Sequence, residues 1–305
     1  MSLKLTILGN NSAIPANNRH QTAQILVIQE QYILIDCGEC TQLLLKRNHI
    51  KPGKIRHILI SHLHGDHYFG LIGLLSSLHL YGRKSKLNLY GPPELLNIIN
   101  SQLKASATKL IFELNFVPLD PGMHGTIFEH DNFTIQTFPL NHSITCHGFL
   151  IKEKPKQRKI IKDQLPENIR LQDIVTMKNG QNVYDENDNI IYHHKDYTLP
   201  PKRSLSYAYC SDTAYDPGIV KYIKSADLLY HESTFATDMA KRAALTYHST
   251  SEEAARIAKD AGVGKLLLGH YSTRYKDLSI LLEQARSVFK ESYLSQEGET
   301  VEIND

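Results

Sequence analysis

The run His62-Leu63-His64-Gly65-Asp66-His67 places four potential metal ligands within six residues. Imidazole and carboxylate are the usual nitrogen and oxygen donors to zinc and related first-row ions. His62 and His64 lie two residues apart, so on an extended segment they point the same way, while Asp66 and His67 can face a second ion near by. A single histidine pair would say little, because an isolated histidine is usually an ordinary polar residue. Four ligands at this density say more. One divalent zinc takes about four ligands and a catalytic site keeps a position for water, so two ions need more side chains than this run supplies. His142, Asp212 and His270 are the candidates for the remainder, each standing where a strand-like run opens into a loop.

The elements that must hold these residues follow from periodicity. Strand-like runs are expected at 3–8, 24–28, 32–35 and 55–60, the last feeding a helix over 68–80. A second set is expected at 86–90, 133–138, 206–209, 228–230 and 265–268. A helix over 252–261 falls between the last two, with Ser249 and Glu252 at capping-box spacing and Gly262 as its stop. Strand signals in both halves predict an α/β protein, a single domain over 1–305 in which two sheets pack together with helices outside. Between 152 and 199 the pattern gives way to polar sequence too long for an ordinary connection, which predicts an inserted arm projecting outward. Its first part, residues 152–162, carries six basic residues against one acidic and is a candidate phosphate-contact surface.

Composition narrows the setting. The 305 residues are 41% hydrophobic and 22% charged with a net charge of +2, an ordinary globular balance in which any polyanion site must be a local patch. No apolar stretch is long enough for a membrane span, and the N-terminus runs straight into a strand-like segment, so a cytoplasmic protein without membrane association is expected. The four cysteines, Cys37, Cys40, Cys146 and Cys210, are too few for a disulfide framework and fit a reducing compartment.

The HxHxDH run with later His, Asp and His resembles the metallo-β-lactamase superfamily over nearly the whole chain. Further segments are similar to the ribonuclease Z family of tRNA 3′-processing endonucleases: Leu8-Gly9-Asn10-Asn11-Ser12-Ala13-Ile14-Pro15, Asp36-Cys37-Gly38-Glu39-Cys40-Thr41-Gln42, Ser211-Asp212-Thr213, His231-Glu232-Ser233-Thr234-Phe235 and His248-Ser249-Thr250. The resemblance implies a metallo-β-lactamase fold, a four-layer αββα sandwich with the arm inserted. It implies that His62, His64 and His142 hold one zinc, that Asp66, His67 and His270 hold the other, and that Asp212 bridges them, giving two zinc ions per subunit with manganese or iron(II) as substitutes. The implied reaction removes the 3′ trailer from precursor tRNA after the discriminator nucleotide, leaving a tRNA 3′-hydroxyl and a trailer 5′-phosphate.

Asp66 is the implied proton acceptor. The departing 3′-oxygen needs a proton, for which His248 is the candidate donor with Glu232 orienting it. Asp36 is expected to support the site through loop hydrogen bonds, and His231 is either a further site residue or a packed strand-end histidine. The family also implies a homodimer in which one subunit's arm serves the other's site. The sequence departs from the family in three places. The loop Pro15-Ala16-Asn17-Asn18-Arg19-His20, associated with sensing the CCA end, has asparagines and His20 where many bacterial relatives have a lysine and end in Arg-Asn. The arm shows Leu165-Pro166-Glu167-Asn168-Ile169-Arg170 in place of a Gly-Pro-rich signature. Cys40 stands where glycine is usual, creating a Cys-x-x-Cys spacing. The competing reading keeps fold and metals but acts on a small phosphodiester, thioester, lactone or sulfate ester. A third, non-catalytic RNA binding, conflicts with the full ligand set.

Overall fold

The computed structural model describes residues 3–304; Met1, Ser2 and Asp305 of the expected domain lie outside the described residues. β1 (Leu3–Gly9), β2 (Ala23–Ile28), β3 (Gln31–Ile35), β4 (Ile55–Leu59), β5 (Leu87–Gly91) and β6 (Leu114–Pro118) form one sheet, and β7 (Gly125–Glu129), β8 (Phe133–Leu140) and β9 (Cys146–Glu153) open a second. Four short strands, β10 (Lys159–Ile160), β11 (Val183–Tyr184), β12 (Ile190–Tyr192) and β13 (Thr198–Leu199), make two small ladders in the inserted segment. β14 (Ser206–Cys210), β15 (Leu228–Glu232), β16 (Lys265–Gly269) and β17 (Ser292–Leu294) complete the second sheet, and β18 (Thr300–Ile303) returns antiparallel to β1 in the first. The strand orders are β18-β1-β2-β3-β4-β5-β6 and β17-β16-β15-β14-β9-β8-β7.

Strand alternation sorts the apolar side chains into three cores. Leu3, Leu5 and Ile7 of β1 and Ile33 and Ile35 of β3 meet Ile135, Phe149, Tyr207 and Tyr230 between the sheets. Leu34, one residue out of phase, faces the other way and packs with Leu44, Leu74 and Leu75 under the helices Thr41–Arg47 and Leu71–Leu80. On the far side, Ala208, Leu229 and Leu266 meet Ala254, Ile257 and Leu281 of the helices Ser251–Ala261 and Ser279–Val288. Three cores between four layers give the αββα sandwich.

Several elements differ in detail from expectation. The helix expected over 68–80 is two pieces, Gly65–Tyr68 and Leu71–Leu80. The break at Gly70 lets the backbone pass Gly38, whose carbonyl oxygen would lie 2.1 Å from any Cβ there. The capping box sits one residue later than expected. Thr250 Oγ1 accepts from Glu253 N–H at 3.2 Å and Glu253 accepts from Thr250 N–H at 2.8 Å, while Ser249 donates instead to the Thr213 carbonyl. β9 carries Lys152 and Glu153, so the chain leaves the second sheet at Lys154. Beyond it the helix Leu171–Lys178 packs on β10 and on the short helix His194–Tyr197. No helix among the described residues is long and apolar enough to cross a membrane.

Candidate metal centre

β14, β15 and β16 are mutually parallel, and β8 runs the same way because it reaches β14 through two antiparallel steps across β9. The carboxyl ends of all four therefore lie on one edge of the second sheet, and from them His142, Asp212, Glu232 and His270 emerge. In the first sheet β4 ends at Leu59, and the extended segment beyond it delivers His62 and His64 before the turn into helix Gly65–Tyr68 presents Asp66 and His67. The expected ligands thus meet where the two sheet edges face each other.

They fall into two sets that share Asp212. His64 Nδ1 lies 3.2 Å from His62 Nε2 and 3.1 Å from His142 Nε2, and Asp212 Oδ2 lies 3.5 and 3.8 Å from the same two Nε2 atoms. On the other side, Asp66 Oδ2 lies 3.5 Å from His67 Nε2 and 3.4 Å from His270 Nε2, which stand 3.4 and 3.2 Å from Asp212 Oδ1. A metal with donors at about 2.0–2.2 Å in a tetrahedron separates those donors by roughly 3.3–3.6 Å. These spacings, 3.1–3.8 Å, lie close to the edges of two such tetrahedra, with the two oxygens of one carboxylate facing one each. His67 Nε2 is fully buried and has no hydrogen-bond partner, a costly state for a ring nitrogen unless an ion takes its lone pair.

Two buried carboxylates set the ring tautomers. Asp36 accepts from Ser61 N–H at 2.8 Å, Ser61 Oγ at 2.9 Å, Tyr209 OH at 2.6 Å and His67 Nδ1–H at 2.8 Å, and Ser61 Oγ in turn accepts from His62 Nδ1–H at 3.0 Å. Glu232 accepts from Thr213 N–H at 2.7 Å, His248 Nδ1–H at 2.8 Å and Thr234 Oγ1–H at 2.6 Å, and Thr234 Oγ1 accepts from His270 Nδ1–H at 2.9 Å. His142 Nδ1–H donates to the Tyr247 carbonyl at 3.0 Å. With the outer nitrogens of His62, His67, His142 and His270 committed as donors, their Nε2 lone pairs point inward, the tautomer a metal requires.

The electrostatics agree. Burial pushes His67 down, but the carboxylates of Asp212, Asp66 and Asp36 outweigh it and hold the ring well above its usual value, so the surroundings favour positive charge at that point. Burial pushes Asp212 up, and His270, His67 and His62 overcome that and hold it well below the usual carboxylate range. Asp66 behaves likewise through His67 and His270. A divalent cation in each set fits this donor chemistry.

Every residue expected for catalysis or ligation is in this cluster. His231 is not: it is buried, donates to the Glu232 carbonyl and stands outside both sets. The sequence reading missed Ser61, Tyr209 and Thr234, whose hydroxyls carry the network but whose types are unremarkable in strand-end segments. The Cys-x-x-Cys spacing does directly precede a helix, Thr41–Arg47, yet both thiols are free. Cys37 is buried with its thiol pushed up to about 12 by desolvation, the reverse of an activated cysteine, while Cys40 is exposed. In the loop after Pro15, Arg19 is spent on structure, donating to Asn11 Oδ1 and the Tyr275 carbonyl, and His20 is held by Glu297.

A cleft of about 540 Å³ opens beside the cluster, lined by Asp66, His64, Asp212, His248 and His270 and walled by residues of the loop after Ser12. The chain is 48% identical over 305 residues to the ribonuclease Z of Cytophaga hutchinsonii, an alignment covering 100% of this chain and 97% of that one. The chain belongs to the ribonuclease Z family. Ribonuclease Z of Bacteroides fragilis is 38% identical over 296 residues, covering 97% of both chains. The crystal structure of human tRNase Z, short form, superposes with a TM-score of 0.72 at 26% identity over 98% of each chain. Residues 3–194 also match the family model described as Anti-Pycsar protein Apyc1. A ribonuclease Z relationship spanning the whole chain makes the protein a metal-dependent endoribonuclease, and its clustered histidines and aspartates are able to bind metal ions.

Proposed function

We propose that this ribonuclease Z family member removes the 3′ trailer from precursor tRNA, cutting after the discriminator nucleotide to leave a 3′-hydroxyl on the tRNA and a 5′-phosphate on the trailer. The observation that carries the proposal is His248, held from behind by the buried Glu232, lining the same cleft as His64, Asp66, Asp212 and His270, in a chain related to ribonucleases Z from end to end. His62, His64 and His142 would hold one ion and Asp66, His67 and His270 the other, with Asp212 shared between the two sets. The ions are two zincs per subunit, with manganese or iron(II) as substitutes. Bound there, they supply an activated water nucleophile and a Lewis acid for the phosphate.

The chain's own groups manage the protons. Asp66, held ionised by His67 and His270, accepts one from the nucleophile. Its orientation is fixed from outside the ligand set, because Ala13 N–H donates to Asp66 Oδ2 at 2.7 Å. His248 is pushed down by burial, but the charge of Glu232 and its hydrogen bond prevail and raise it to about 9, so near neutral pH the ring is protonated and can donate to the departing 3′-oxygen.

The inserted segment, expected from 152 but leaving the sheet at Lys154 and running to Leu199, is the RNA-binding arm. Within its basic run Lys154 is engaged by Glu129, Lys156 by Glu153 and Arg158 by Thr198, whereas Lys159 and Lys162 are exposed for phosphate contact. We place the protein in the cytoplasm as a homodimer. The small-substrate alternative is disfavoured by the arm and by an acid pair that a good leaving group would not need. Incubation with a trailer-bearing precursor tRNA, with zinc or manganese and with a chelator control, should give a metal-dependent cut beside the discriminator that Asp212→Ala abolishes. Turnover of a small phosphodiester with no tRNA cleavage would select the alternative.

A further inference from the structure

Phe69 stands two residues beyond the ligand run and is 56% exposed, an unusual position for a large aromatic ring beside a catalytic loop. It lines the cleft together with Ile14, which is 60% exposed, and Glu39. The ring is not loose. A Cβ at Gly65 would lie 2.2 Å from Phe69 Cε2, so the ring rests directly on the backbone of Gly65, and Tyr68 meets it edge-on with centroids 5.0 Å apart. Part of its remaining surface is open to the cleft and part to a small apolar hollow beside Leu71 and Ile99, so the ring is already oriented, with little side-chain entropy left to lose on binding.

No lysine or arginine lines this cleft, and Glu39 adds a carboxylate to its wall. Away from the metal ligands a phosphate would find one cation, the His248 ring assigned to the departing oxygen, and at the Phe69 end only the repelling charge of Glu39. A nucleobase would find a stacking face, an apolar neighbour in Ile14 and an acceptor for an exocyclic amine. Resting on the trailer-removal reading, the geometry points to Phe69 as the stacking platform for the base of the last retained nucleotide. That nucleotide carries the 3′-oxygen to which His248 donates, and His248 lines the same cleft, so its base must enter there. Phe69 is on this account a positioning residue that sets the scissile phosphate against the ligand sets.

The test compares cleavage of a precursor tRNA with cleavage of the same RNA made abasic at its last retained nucleotide, using the zinc-loaded wild type and the Phe69→Ala, Phe69→Leu and Phe69→Tyr variants. Loss of the ring should lower kcat/KM on the intact RNA about tenfold, equivalent to about 1.4 kcal/mol of stacking, in both Ala and Leu variants, while Tyr retains wild-type cleavage. On the abasic RNA the wild type should fall by a similar factor and the Ala and Leu variants no further. An equal loss on intact and abasic RNA, or Tyr falling alongside Leu, overturns the proposal, and the Leu and Tyr pair decides it if Ala does not fold. A wild type that cuts neither RNA overturns the trailer-removal reading itself.

Discussion

Replacing Glu232 by glutamine keeps the shape of the residue and removes its charge. Glu232 is fully buried and is the carboxylate that holds His248 at about 9 against a usual value of 6.5. The difference, 9 − 6.5, is 2.5 units, or about 3.4 kcal/mol at 1.36 kcal/mol per unit, favouring the protonated ring. Without that charge burial and His67 push the ring down against Asp212 alone, so His248 returns to about its usual value of 6.5 or lower. The sign follows from the ring being the donor: activity that needs imidazolium is full below the folded-state value and fades as pH rises through it. At about pH 7.5 the protonated fraction should fall from nearly all to about a tenth or less, so kcat drops at least roughly tenfold and recovers on acidification. Bound cations lower the ring in both proteins alike, leaving the displacement of more than about two units as the measured quantity. Single-turnover cleavage of precursor tRNA across pH, with histidine NMR and metal content on the same samples, reads it. A Glu232→Gln enzyme that loses rate equally at all pH values, with its alkaline limb unmoved, would refute the donor role.

Three further outcomes follow from the same geometry. Asp36→Asn removes the charge that fixes His67 and, through Ser61, His62, so metal affinity should fall about 10- to 100-fold in a competition titration with a chromophoric chelator. Cys40→Gly should stabilise the fold by about 1 kcal/mol or less, seen as a higher denaturant midpoint, because Cys40 sits at φ 64° where a side chain is strained, and the relief exceeds the entropy glycine adds to the unfolded chain. Lys159→Ala with Lys162→Ala should weaken precursor tRNA binding and reduce the slope of log affinity against log salt by roughly two, while leaving hydrolysis of a small phosphodiester unchanged.

The αββα layering was legible in the sequence, and so were the residues that the fold brings together at its strand ends, whereas several individual elements were not. Metal ligands announce themselves by type and spacing, and His142, Asp212 and His270 could be picked out because each follows a strong apolar strand. Asp36 could be suspected, but its partners Ser61 and Tyr209 could not, since they reach it only in the folded chain, and Thr234, though only two residues from Glu232, links it to His270 36 residues away. β9 went unrecognised because its last residues, Lys152 and Glu153, read as the start of the basic insertion, although their backbone is paired on both sides. β6 is only half-buried and β18 is four residues long, too little periodicity to register. The capping box was misplaced by one residue because Ser249 and Thr250 offer equivalent hydroxyls, and only the third dimension gives Ser249 another partner. Phe69 looked like one more apolar residue of a helix, and exposure is not written in a sequence.

The sharing of Asp212 between two ligand sets also constrains how the protein comes into being. Each set draws on the strand ends of both sheets: His62, His64, Asp66 and His67 precede residue 70, and His142, Asp212 and His270 come from the other half of the sandwich. Neither sheet brings together a full set by itself, so a metal bound there would act as a clasp across the seam, and its removal should loosen the seam before it loosens either sheet. In a chain emerging from its N-terminus, the set of His62, His64 and His142 is completed with Asp212, whereas the set of Asp66 and His67 waits for His270. With two ions bound as proposed, the order of the ligands along the chain would give one ion its full set before the other.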